Sequence, residues 1–102
     1  MSVKADKIEV VDLTQDIGTS YSIEPNKLYL FGAKADLTIS LVQGESDIVN
    51  EYMIQFISGS TATTLNVPST VSWIKDPDIQ SNKIYQVSIV NNLGVIGEWD
   101  NE

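Results

Sequence analysis

The sequence predicts an all-β chain: an antiparallel β-sandwich of jelly-roll type, with about eight short strands and little or no helix. Three observations carry this. Apolar residues recur with a period of about two and not about 3.6, as in Leu37, Ile39 and Leu41 around Thr38 and Ser40, and in Tyr85, Val87 and Ile89 around Gln86 and Ser88. Turn chemistry separates these segments at Glu24-Pro25-Asn26, Gln43-Gly44-Glu45-Ser46-Asp47 and Lys75-Asp76-Pro77-Asp78. With no helix between strands, neighbours in sequence are expected to pair directly, antiparallel and in two layers.

Taken in order, Ile8 and Val10 flank Glu9 in a first weak strand, and Tyr21-Ser22-Ile23 forms a second before the turn at Pro25. Leu28 to Phe31 is a short apolar run, and Leu37 to Leu41 is a strand with one wet face. Asp47 to Glu51 is the one place where a helical turn is expected. Tyr52, Ile54 and Phe56 then point one way, and Met53, Gln55 and Ile57 the other. Leu65 and Val67 precede Pro68, which lacks an amide proton and ends that strand. Val71-Ser72-Trp73 follows, and Tyr85 to Ile89 joins Val95 to Trp99 through a hairpin loop at Asn91-Asn92-Leu93-Gly94. Residues 1–24 are expected to be an N-terminal arm or weak first strands, with docking as a use, and residues 25–102 the sandwich. Asn26-Lys27-Leu28-Tyr29 and Asn82-Lys83-Ile84-Tyr85 echo one another. Asn tolerates the left-handed backbone before a strand and Tyr suits a half-buried one, so local chemistry explains the echo better than duplication does.

Composition removes whole classes of function. The 102 residues include no cysteine and no histidine, which takes away thiolate sites, disulfides, the usual general base and the commonest transition-metal ligand. Acids outnumber bases 14 to 6, the net charge is −8 and every base is lysine. Without arginine on so acidic a chain, neither nucleic acid nor an anionic membrane is an expected partner. No apolar run approaches a membrane helix, and Met1-Ser2-Val3-Lys4-Ala5-Asp6-Lys7 lacks the apolar core of a signal peptide, so synthesis in the cytoplasm is expected.

The remaining chemistry is sparse. Asp76-Pro77-Asp78 and Glu45-Ser46-Asp47 each set two acids at alternate loop positions, a fragment of a calcium site without its glycine or further ligands; solvated loop acids are the better reading. No pair of carboxylates is singled out for glycoside hydrolysis, so no catalytic residue, cofactor or metal is assigned and an enzyme is not expected. Trp73, Trp99, Tyr52, Tyr85 and Phe56 are expected to fill the core, although aromatics also stack on sugars. Apolar residues on both faces of two strands make Met53, Ile57 and Ile96 the candidate oligomer interface, with burial under loops as the alternative.

The order of elements from Tyr52 to Trp99 resembles a module of tailed-bacteriophage structural proteins: an aromatic-rich strand ending at Ser58-Gly59, then Thr63 to Pro68, Val71-Ser72-Trp73, Asn82 to Ile89, and a terminal Gly97-Glu98-Trp99. The likeness covers roughly half the chain and carries no catalytic signature. It implies a non-enzymatic virion protein, a capsid decoration or head-fibre protein made in the bacterial host cytoplasm, trimeric, with capsid as partner. The alternative is a small carbohydrate- or receptor-binding adhesion module that recognises a host surface glycan.

Overall fold

The computed structural model describes residues 8–100 and divides them into nine strands: β1 (Glu9–Leu13), β2 (Ser20–Ile23), β3 (Lys27–Ala33), β4 (Asp36–Leu41), β5 (Glu51–Ser58), β6 (Thr64–Asn66), β7 (Ser72–Trp73), β8 (Lys83–Val90) and β9 (Leu93–Asp100). They form a six-stranded sheet in the order β1-β3-β5-β8-β9-β7 and a three-stranded sheet in the order β2-β4-β6.

This is a β-solenoid and not the expected antiparallel jelly-roll sandwich. Each of the first three coils gives one strand to the large sheet and the next to the small one, so β1, β3 and β5 stack in parallel, as do β2, β4 and β6. Among the described residues, antiparallel pairing appears only where β8 pairs with β5 and β9 with β8. The alternation that marks strands is the same for both architectures. What differs is the corner: at Lys34-Ala35 the chain does not double back beside β3 but crosses to the other sheet. A register irregularity between Leu30 and Ala33 turns the strand there. Gly32 lies within it, so close beneath the first coil that an added Cβ would sit 2.7 Å from the Thr14 carbonyl oxygen.

Corresponding core positions therefore stack from coil to coil. Val11 lies beside Tyr29, Tyr29 beside Ile54, Ile54 beside Val87 and Val87 beside Ile96. From the small sheet Ile23, Leu37 and Ile39 close the core. Phe56 and Tyr85 stack at 5.5 Å between centroids, and Tyr21 tilts against Phe31 at 4.7 Å. Residues 8–24, expected as an arm or weak strands, form the first coil; residues 1–7 lie outside the described residues. No helical turn forms at Asp47 to Glu51, where a bend leads into β5.

The asparagine signals are realised in the backbone. Asn26 and Asn82 have φ of 64° and 61° and immediately precede β3 and β8. The echo extends further, since the Glu24 amide donates to the Tyr29 hydroxyl at 2.9 Å and the Gln80 amide donates to that of Tyr85 at 2.6 Å. Yet β3 pairs in parallel with both neighbours while β8 pairs antiparallel, so the echo is one local device used twice. The final hairpin is tighter than expected: Asn91 and Asn92 alone make the turn, with φ of 54° and 62°, and Leu93 already belongs to β9.

Candidate functional site

Three places on the molecule could carry function: a polar corner at Lys34, a groove beyond β9, and the outer face of the six-stranded sheet.

The Lys34 corner went unnoticed in the sequence because a single lysine between two short apolar runs looks like a surface residue. It is only 7% exposed. Its ammonium donates to the Asp16 carbonyl at 2.8 Å, to the Gly18 carbonyl, and to the Tyr21 hydroxyl at 2.9 Å, and it lies 5.2 Å from the Tyr21 ring centroid. That hydroxyl donates to the Asp16 carboxylate at 2.6 Å. Together with the Gly18 amide, it holds Asp16 below the ordinary carboxylate range. The Lys34 carbonyl in turn accepts from Thr63 Oγ1. All three ammonium protons have acceptors, so the cluster is a staple across three coils and not an open reactive site.

The groove has a volume of about 440 Å³. Lys75, Asp76, Asp78 and Gln80 line it from the chain after β7, and Val95, Ile96 and Glu98 from β9. Tyr85 also lines it; burial pushes its phenol above the ordinary value, and its hydroxyl accepts from the Gln80 amide. Gln80 Nε2 donates to Asp78 Oδ1 at 2.8 Å, leaving Asp78 tied to its own loop. Glu45 and Asp47 lie far along the sequence in the loop between β4 and β5. Among the described residues no group of three or more potential ligands is placed to hold a metal ion.

The outer face of the large sheet holds two of the residues singled out for contact. Met53 and Ile57 lie on the opposite phase of β5 from Tyr52, Ile54 and Phe56, but Met53 is only 9% exposed, covered by its neighbours, and Ile57 is half-buried. Ile96 is not on this face: it packs against the core beside Val87. Trp99, expected in the core, is 45% exposed on this outer face beside Ile84, whereas Trp73 packs on the core above Gly94. The strand register sorts the face into cross-strand rows. One runs Val10, Leu28, Met53, Ser88, Val95; another runs Ala33, Ile57, Ile84, Trp99. Between them lies a row with Asp12, Leu30, Gln55, Gln86 and Gly97. Two apolar bars thus flank a pair of amides.

No protein-family model matches the chain, and neither a curated protein nor a solved structure is significantly similar to it. None of these comparisons speaks for a tailed-phage or virion module, and the solenoid replaces the sandwich head that the resemblance implied.

Proposed function

We propose that this chain is a non-enzymatic structural protein that works by docking a broad sheet face against another protein surface. One observation carries the reading. On a chain of net charge −8, the outer face of the six-stranded sheet presents Val10, Leu93, Val95 and Trp99 to solvent, with Leu28, Ile57 and Ile84 half-buried between them. With strands about 4.8 Å apart and residues rising about 3.3 Å, the two apolar bars and the row between them span on the order of 500 Å². The amide row takes part of that span and Met53 is covered by its neighbours, so the open apolar share is on the order of a few hundred Å², and patches of that size are often functional. Nile red, a neutral dye of apolar surfaces, tests this directly. It should bind the dilute folded protein and should be lost on Val95→Glu; equal binding by both proteins would refute the face as the apolar surface.

A virion decoration or head-fibre role is the specific form of this proposal, and its support is the resemblance at Tyr52 to Trp99 alone. Mass spectrometry of particles from a culture that produces the chain tests it, with recovery only in the soluble fraction as the refuting result. A second reading, glycan or receptor recognition, is favoured by the groove, where Lys75, Asp76, Asp78, Gln80 and Glu98 line the same cavity as Tyr85, Val95 and Ile96. A glycan array with the wild type and Asp78→Ala distinguishes it: a hit lost in the variant supports the groove, and an empty array counts against glycan recognition.

A further inference from the structure

The geometry points to a second copy of this chain as the occupant of the outer sheet face, packed face to face about a two-fold axis. This rests on the docking surface proposed above and names what covers it. The first argument is pattern symmetry. The face reads apolar row, amide row, apolar row, with Asp12 at the β1 end of the amide row. An in-plane two-fold axis along the strands between β5 and β8 lays each row on itself, with Gln55 opposite Gln86 and Asp12 clear of its own copy. An isologous interface demands such self-complementarity.

The second argument is hydrogen-bonding capacity. Gln55 is half-buried, Gln86 lies directly across from it, and among the described residues neither side-chain amide has a hydrogen-bond partner. A glutamine amide donates and accepts in equal measure, so two such pairs facing each other can satisfy one another across the axis. The third is charge. Two copies of net charge −8 repel wherever carboxylates meet. On this face Asp12 ends the amide row on the edge strand β1, where it accepts from the Thr14 amide and hydroxyl, and Glu51, one row beyond the Val10–Val95 bar, accepts from Ser88 Oγ at 2.6 Å; an axis along the strands keeps each of them off its own copy. The fourth is size. About 500 Å² from each copy totals on the order of 1,000 Å², the threshold for a specific interface.

The test is mass in solution, by light scattering coupled to gel filtration over a dilution series. It compares the wild type, the double variant Val95→Glu/Trp99→Glu, and Ile17→Glu. Ile17 is 95% exposed in the β1–β2 connection and controls for added charge. All three substituted positions are exposed, and far-UV circular dichroism checks that the fold is kept. The wild type and Ile17→Glu should run at twice 11.2 kDa, and the double variant should have a dissociation constant at least about 100-fold higher. A dimer that survives the double substitution, or a trimer, overturns the inference. A wild-type monomer that binds Nile red in a Val95-dependent way overturns the second copy but leaves the docking face; a monomer that binds no dye overturns both.

Discussion

Gly32→Ala separates the solenoid from any sandwich built on the same strands. In the solenoid the first coil passes directly over β3, and an alanine Cβ at position 32 would meet the Thr14 carbonyl oxygen at 2.7 Å. Relaxed carbon–oxygen contacts lie near 3.3–3.6 Å, so one coil must shift by about 0.6–0.9 Å. The obstacle is backbone and cannot rotate aside. Overpacking of this kind costs about 1–3 kcal/mol, and the reduced entropy of the unfolded chain offsets about 0.4–1 kcal/mol of it. A net loss of about 1–2 kcal/mol lowers Tm by about 5–15 °C for a domain of this size. Gly59→Ala is the control, because its Cβ would meet only the Ala33 Cβ, at an ordinary 3.7 Å, so the entropic gain should raise Tm by a few degrees. Thermal unfolding followed by circular dichroism and calorimetry reads both variants. If Gly32→Ala melts with the wild type, the coil does not cross at Thr14, and the pairing of Leu13 with Phe31 is wrong.

Gly94→Ala places a methyl 2.8 Å from Trp73 Cε3 and 3.2 Å from Val71 Cγ1, so the denaturant midpoint should fall and the tryptophan emission should shift as the Trp73 ring is pushed off the core. Asn92→Val forces a β-branched residue to φ of 62°, and equilibrium unfolding should show a loss of about 1–2 kcal/mol, while Asn92→Gly stays near the wild type. Acid should weaken the fold. Asp16 is held low by the Tyr21 hydroxyl and the Gly18 amide, Asp12 by the Thr14 hydroxyl and amide, and Asp100 by Lys83. Because these folded-state values lie below the ordinary 3.8, their stabilisation is present above it and is lost as pH falls through the folded values. The urea midpoint should drop below about pH 4, and Asp16→Asn should flatten part of that slope.

Much of the local structure was legible in the residues. Leu37, Ile39 and Leu41 alternate as a strand must, Pro68 follows the end of β6, and Asn26 and Asn82 stand where the backbone turns left-handed before β3 and β8. The two-faced pattern of β5 also separated Met53 and Ile57 from Tyr52, Ile54 and Phe56, although it did not show that Met53 is buried. These are statements about one to eight neighbouring residues, where φ preferences and side-chain alternation act without reference to the rest of the chain.

Three things needed the tertiary structure. Trp99 reads as core by size, but β9 carries it on the outward phase of the strand, while Ile96 turns inward on the other. Lys34 reads as surface, yet the crossing of coils encloses its ammonium among the Asp16 and Gly18 carbonyls and the Tyr21 hydroxyl. Above all, the choice between doubling back and coiling onward was not written in the alternation, because a strand with one buried face has the same period of two in either sheet. So the sequence by itself determined an all-β, acidic, cysteine- and histidine-free chain and where most of its strands begin. Only the fold decided that those strands stack in parallel coils. That choice rests on contacts between distant residues, such as Gly32 beneath Thr14 eighteen positions earlier, a spacing that recurs between Ser22 and Ser40.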